Sequence, residues 1–374
     1  MITVFSNRCE TEPYRIFFPL GILCLLYGIL LWLPQIWNPG DYPVLVHRYL
    51  MLNGFVASFM GGFLMTAVPR FSKTKTAEKW EIIFFFLLTV LGVLFAASEQ
   101  ERLVFAISSL QALNLIVFLM RRISKRKANP PYTFIFIFVG LLLWVISAIG
   151  GIFFEVEAFK HLHYEGSIVA IILGVGSRLI PGILGHVEIV MSQKEHDESP
   201  ESLFRTIPWY FYLIILSFVL SYFLNDLSGS IIRSLVVGIV GILYWKLLVL
   251  PKKKSALTWN IWLCGWFILF SFLLKSFWQD GLIHASHSLF LSGIVLLSLL
   301  IATRVIQSHG PKDEKLENWR GLYIVSSLVV LATATRVTAF LMPDGYLRHL
   351  GYSSFVLSLA ILVWSYKYLR FVRT

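Results

Sequence analysis

Long apolar stretches separated by short polar segments dominate the sequence. A helix that crosses a bilayer needs about 20 mostly apolar residues, because lipid offers the backbone no hydrogen-bond partners. The pattern therefore predicts an all-α polytopic membrane protein, with residues 1–374 forming a single domain. Its twelve predicted transmembrane helices cover residues 16–37, 43–68, 80–97, 102–120, 132–154, 161–184, 207–224, 230–250, 258–278, 283–305, 320–341 and 347–366.

The composition agrees with a membrane protein and excludes most soluble classes. Hydrophobic residues make up 57% of the chain and charged residues only 14%, against about 25% charged residues in soluble domains. The one polar loop, 185–206, is too short for a domain, and we expect it between helices 6 and 7 on the cytoplasmic side. Cys9, Cys24 and Cys264 lack a metal-like spacing, which favours simple packing roles over disulfides.

The net charge of +11 follows the predicted topology. With twelve spans, most of the lysine and arginine residues fall on the side that holds both termini, and the positive-inside rule makes that side cytoplasmic. The opposite, outer side holds Arg48, Arg102, Lys160, Arg233, Lys275 and Arg348. The expected partner is therefore membrane lipid and not nucleic acid.

Histidines recur at the predicted outer ends of helices 2, 6 and 10. They are His47, His161, His163, His284 and His287. Burying a polar ring in a membrane is costly unless it is paired, and imidazole is the commonest metal ligand. The layer therefore favours a metal or haem site over ordinary hydrogen-bonded histidines. Its spacing of four helices suggests three pseudo-repeated four-helix units.

Helical periodicity predicts how these side chains point. His161 and His163 are two residues apart, so they point about 200° apart and could serve two cofactors. His284 and His287 are three apart and share a face. On helix 2, residues three or four apart predict one common face: His47, Met51, Gly54, Ser58 and Gly61.

Two further ionisable residues lie near the depth of the histidines. Arg336 is inside predicted helix 11, where an arginine is costly and by default indicates a functional site, with a structural salt bridge as the alternative. It could hold the propionates of a haem. Glu165 could relay protons or orient His163.

Two blocks of the sequence resemble the NnrS family. The first contains Phe17-Phe18-Pro19-Leu20-Gly21, Leu31-Trp32-Leu33, His47, Gly54-Phe55 and Gly62-Phe63-Leu64-Met65-Thr66-Ala67-Val68-Pro69. The second contains His284-Ala285-Ser286-His287, Thr303-Arg304-Val305 and Ser308-His309-Gly310. Where the family often has a second histidine and a glutamate after the first histidine of helix 2, this chain has Tyr49 and Leu50. Twelve helices in three groups of four also resemble, more loosely, the main subunit of haem-copper oxidases.

The resemblance implies a bacterial inner-membrane protein that holds haem b and copper and acts in nitric oxide metabolism or resistance. The implied haem ligands are His47 and one of His284 or His287, with Arg336 at the propionates. His161, His163 and the remaining helix 10 histidine are implied as ligands of a second haem or copper. Nitric oxide or another small diatomic molecule is the implied ligand, and the electron donor and the catalytic residues stay unassigned.

Three functional classes remain open. A nitric oxide reductase-like oxidoreductase would turn nitric oxide over at the cofactor, whereas a non-catalytic sensor would only bind haem or metal. A secondary transporter of the twelve-helix class would also contain glycine-rich helices and an intramembrane arginine.

Overall fold

The protein is a bundle of helices in a computed structural model that describes residues 12–37, 42–154, 156–186, 207–309 and 316–373. No strand occurs in these ranges. The main helices are α1 Tyr14–Leu30, α2 Val44–Phe71, α3 Lys79–Ala97, α4 Glu101–Ile123, α5 Ile135–Phe153, α6 Glu157–Leu184, α7 Trp209–Leu220, α8 Asp226–Leu243, α9 Ala256–Phe277, α10 Leu282–His309, α11 Gly321–Thr338 and α12 Tyr346–Tyr368.

Each predicted transmembrane stretch overlaps one of these helices. Within the described ranges, eleven helices are long and apolar enough to cross a membrane. The exception is α7, a 12-residue helix followed by a three-residue 3-10 turn, Ser221–Phe223, which is shorter than the roughly 20 residues that span a bilayer. The all-helical membrane architecture is confirmed. The count of twelve crossings and the cytoplasmic termini stay predictions, and most of the predicted loop 185–206 lies outside the described residues.

Local signals account for where several helices begin and end. The Asn225 side chain accepts a hydrogen bond from the backbone N–H of Ser228 at 2.9 Å and so caps α8. The hydroxyl of Ser255 caps α9 in the same way, through Thr258 N–H at 3.2 Å. Gly185 ends α6 with φ of 87°, a left-handed conformation that favours glycine.

Helices α2, α6 and α10 share three properties. Each is 28 residues long, and they are the most buried candidate spans in the described structure. Each also contains one π-helical segment near its start: Leu50–Val56, Leu162–Gly166 and Leu289–Val295. Such segments are rare and often occur at functional sites. The predicted repeat of four-helix units remains a prediction, and this recurrence is a feature that the repeat would explain.

The π-helical segments are tied to neighbouring helices by polar side chains. Asn53 in α2 donates to Ser108 Oγ of α4 at 2.6 Å, and Ser108 in turn lies 3.2 Å from His163 Nε2 in α6. In α10, the carbonyls of Ser292 and Gly293 each lie 3.4 Å from the thiol of Cys264 in α9. Cys264 therefore donates a hydrogen bond into the π-helical segment, a role beyond the predicted packing.

The bundle is closed and largely apolar. Helices adjacent in sequence pack side by side, and α12 returns to pack against α1. Buried apolar side chains from all twelve helices form one continuous core. Many large apolar side chains, such as Leu23, Leu94 and Phe270, instead remain exposed on the outside, which fits contact with lipid.

Candidate functional site

A cavity of about 490 Å³ lies near one end of the bundle. The first residues of α2, α6, α8, α10 and α12 line it, together with the last residues of α1, α9 and α11, and we call this end of the molecule the cavity end. The volume is typical of small-molecule and cofactor pockets, which measure about 300–1,000 Å³. Its apolar wall includes Phe55, Ile168, Phe290, Leu291 and Ile294.

His47 of α2 faces this cavity in an orientation suited to a ligand. Its Nδ1 lies 2.9 Å from the carbonyl of Gly28 and 3.1 Å from the indole Nε1 of Trp32. The Gly28 carbonyl can only accept and Trp32 Nε1–H can only donate, so Nδ1 serves one of them in each tautomer. With the proton on Nδ1, the ring makes the shorter bond, to Gly28, and forgoes the bond from Trp32. Among the described residues Nε2 then has no hydrogen-bond partner, and its lone pair is free.

A close approach of two helices makes this contact possible. A Cβ atom on Gly28 would lie 2.4 Å from the Met51 side chain and 3.0 Å from Leu50. Glycine therefore lets α1 approach α2 at this point, with its carbonyl at the imidazole, without displacing the Met51 side chain.

His287 of α10 repeats the same arrangement. Its Nδ1 lies 2.7 Å from the carbonyl of Ile283, one turn earlier in the helix, and this carbonyl again requires Nδ1–H. The ring lines the same cavity as His47, and in the described structure its Nε2 is equally free of hydrogen bonds. A backbone carbonyl on one ring nitrogen is the usual way to orient a histidine whose other nitrogen binds metal.

Arg336 of α11 lines the cavity without an acidic partner. It is only 6% exposed, and no carboxylate in the described parts of the chain lies within 4.0 Å of it. Its Nη1 instead donates to His284 Nδ1 at 3.0 Å. His284 itself packs among the rings of Trp278, Phe340 and Tyr346 and does not line the cavity. His284 thus positions the guanidinium.

The two histidines of α6 have separate surroundings, as their predicted 200° separation requires. His161 is exposed and lines the cavity. His163 is buried on the other side of the helix, with Nε2 3.2 Å from Ser108 Oγ and Nδ1 3.2 Å from Ser147 Oγ. Both of its ring nitrogens are engaged, which is the environment of a structural histidine.

The predicted layer of five histidines is therefore divided. His47, His161 and His287 line one cavity, whereas His163 and His284 are engaged in hydrogen bonds elsewhere. In the described ranges no three histidine, cysteine or acidic side chains converge closely enough to hold a metal ion on their own.

A cluster of buried charges completes the cavity wall. Glu165 of α6 binds Lys275 of α9 in a short ion pair and lies 3.8 Å from Arg233 of α8. The hydroxyl of Tyr222 donates to Glu165 at 3.2 Å, and the Tyr222 ring lies under the Arg233 guanidinium at 4.5 Å. We call Glu165, Lys275 and Arg233 the cavity-end cluster, and all three line the cavity.

The partners of Glu165 differ from those that the sequence suggested. Glu165 was a candidate to orient His163, but His163 binds Ser108 and Ser147. Arg233 and Lys275 were counted only as topology markers, yet both are buried. The sequence feature that indicates their burial is the position of Arg233 and Lys275 inside apolar segments. Glu157, the first residue of α6, pairs with Lys160 at 2.9 Å and is exposed.

The fold and this cavity define a polytopic helical membrane protein with an amphipathic pocket near one end. The chain belongs to the NnrS family, described as NnrS protein, whose sequence model matches residues 10–374. No curated protein and no solved structure matches the chain.

Proposed function

We propose that this NnrS-family membrane protein binds a haem b in the cavity and acts in nitric oxide metabolism or resistance. One observation carries the proposal. His47 and His287, from helices that are far apart in sequence, line the same cavity, and each uses Nδ1 on a backbone carbonyl. Two imidazoles with free Nε2 atoms are what axial haem ligation needs.

The rest of the cavity fits the same group. A haem has an apolar body and two carboxylates, so it needs an apolar wall and cations at its edge. Phe55 and Phe290 belong to the apolar wall and would exclude water, and Arg336 supplies a cation without a carboxylate of its own. When bound, the haem would supply an iron to which nitric oxide or another diatomic ligand would bind in place of one of the two histidines.

Copper lacks a comparable set of ligands. If His47 and His287 hold the haem, His161 is the one cavity histidine left within the described residues. Tyr49 occupies the place where the family often has a second histidine. Its hydroxyl lies 3.3 Å from the carbonyl of Thr89 in α3, so this position serves packing. The proposal therefore rests on haem alone.

Optical spectroscopy of the purified protein tests this function. After expression with ample haem, we expect a Soret band for the wild type and loss of most of the bound haem in His47→Ala and in His287→Ala. His161→Ala is the matched control, because it removes an imidazole from the same cavity without removing a proposed ligand. Absence of a Soret band in the wild type, or equal haem content in all four proteins, would refute the proposal.

The buried charges of the cavity wall also suit the transporter alternative, since intramembrane ionisable residues mark substrate pathways. Two assays separate the classes. An enzyme of the reductase type consumes nitric oxide under reducing conditions, and a sensor binds it without consumption. Substrate uptake into vesicles that is unchanged by His47→Ala would instead favour transport.

A further inference from the structure

Two cations of the cavity-end cluster share a single carboxylate. The side chains of Lys275 and Arg233 are 5% and 9% exposed, and that of Glu165 is 4% exposed. No second acid in the described part of the chain lies within 4.0 Å of either cation. Asp226 also lines the cavity but is solvent-exposed. The buried cluster therefore carries one excess positive charge.

Neutral groups hold Arg233 in place. Its Nη1 donates to the Ser221 carbonyl at 2.9 Å and its Nη2 to Ser230 Oγ at 3.1 Å. Its buried Nε has no hydrogen-bond partner among the described residues. These contacts fix the guanidinium at the cavity wall but do not neutralise it.

Burying an unneutralised charge in a membrane protein costs free energy, so such a charge by default indicates a functional site. A planar guanidinium and an ammonium side by side suit an anion that accepts several charge-assisted hydrogen bonds. An apolar wall beside them lowers the local dielectric constant, which would strengthen such bonds.

We propose that the cavity-end cluster binds a singly charged planar oxyanion of the carboxylate class that enters the cavity. It is separate from His47, His287 and Arg336, because it is built on α6, α8 and α9. The oxyanion can come from two sources. It is either a carboxylate of a larger molecule in the cavity, including the haem of the proposed function, or a free small anion.

A series of charge variants tests the site, with sodium formate as the probe and calorimetric titration of the purified protein as the measurement. The cluster charge is +1 in the wild type, +2 in Glu165→Gln, 0 in Lys275→Gln and +1 in the double variant. We expect formate to bind about tenfold tighter to Glu165→Gln and about tenfold weaker to Lys275→Gln, with the double variant near the wild type.

The control is Lys253→Gln, which removes a lysine that pairs with Glu317 beside Arg304 at the other end of the molecule and should leave formate binding unchanged. Should Lys275→Gln not fold, the wild type, Glu165→Gln and the double variant still decide. A purely structural ion pair predicts no formate binding to the wild type, in which Glu165 already occupies both cations. No formate binding to the wild type or to Glu165→Gln, or equal affinity in both, would overturn the proposal.

The source of the oxyanion is identified by loading the protein with haem or with its dimethyl ester, which lacks free carboxylates. Only this arm rests on the proposed function. Formate binding that is blocked by haem but not by the ester assigns the cluster to a haem carboxylate. Formate binding that persists in both assigns it to a free anion. Absence of formate binding to the haem-free protein, together with intact haem binding, would refute the oxyanion site and leave the proposed function standing.

Discussion

Two clusters with the same composition lie at opposite ends of the molecule. At the cavity end, Glu165 is shared by Lys275 and Arg233. At the other end, Glu317, which precedes α11, forms a short ion pair with Lys253 and lies 2.6 Å from Arg304 Nη1 of α10. We call the latter the distal cluster. In both, two cations meet one carboxylate.

The clusters differ in burial. The distal cations are 49% and 41% exposed, whereas those at the cavity end are 5% and 9% exposed. Water screens an exposed ion pair, which typically contributes about 0–1 kcal/mol. A buried charge keeps its desolvation cost unless a partner compensates for it. Both carboxylates are buried, at 4% and 6% exposed, so the clusters differ in their cations, which are screened by water at the distal end and desolvated at the cavity end.

The largest expected contrast is in stability. Lys275→Met removes the closest partner of buried Glu165 and leaves it only Arg233 at 3.8 Å. We expect a loss of about 3–5 kcal/mol in the free energy of unfolding, because breaking a close buried ion pair is strongly destabilising. Adding Glu165→Gln should recover part of this loss. Denaturant unfolding in detergent, followed by tryptophan fluorescence, measures both. A loss below about 1 kcal/mol for Lys275→Met would mean that water reaches this cluster as freely as the distal one.

A smaller contrast concerns the neutral groups that hold each arginine. Ser230→Ala removes the acceptor of Arg233 Nη2, and we expect a loss of about 1–3 kcal/mol, because a buried charged donor is left unpaired. Gln307→Ala removes the side chain that lies 3.4 Å from Arg304 Nη1 and should cost less than about 0.5 kcal/mol. The same unfolding measurement applies. Equal losses would contradict the difference in burial.

The smallest effect is expected at the distal cluster itself. Lys253→Met should cost about 0–1 kcal/mol at low salt, and less at 1 M salt because the Debye length falls to about 3 Å. Comparing unfolding at the two ionic strengths checks this. A loss that is large and independent of salt would show that the distal cluster behaves as a buried site.

The sequence alone was sufficient to predict that the candidate site lies near one end of the helix bundle. Counting alternating apolar stretches placed His47 and His287 at one end of the bundle, and both line the cavity. The same counting placed Arg233 and Lys275 at that end, without showing that Glu165 lies between them. That contact joins the three helices α6, α8 and α9. Because membrane-spanning helices are apolar on nearly all faces, their periodicity gives little information about which faces pack together.

The sequence could not separate ligand-like histidines from structural ones. His284 and His287 were equivalent by spacing, but only His287 lines the cavity, because His284 is held by Arg336 and three aromatic rings. The sequence distinguished His163 from His161 only by the angle of about 200° between their directions around the helix. The engagement of His163 depends on Ser108 and Ser147, which come from α4 and α5.

The π-helical segments of α2, α6 and α10 influence the direction in which the histidine side chains of these helices point. One extra residue in a turn rotates the residues before it by about 100° relative to the residues after it. The expected stripe along α2 is accordingly split. Met51 lines the cavity, Gly54 abuts Cys24 of α1 and Gly61 abuts Phe85 of α3. Removing Leu50, which does not line the cavity, would turn His47 by about 100° relative to the rest of α2 without substituting any side chain of the cavity wall. In α2, α6 and α10 alike, an insertion or deletion in the π-helical segment would thus change the direction of a histidine side chain, which a substitution would not do.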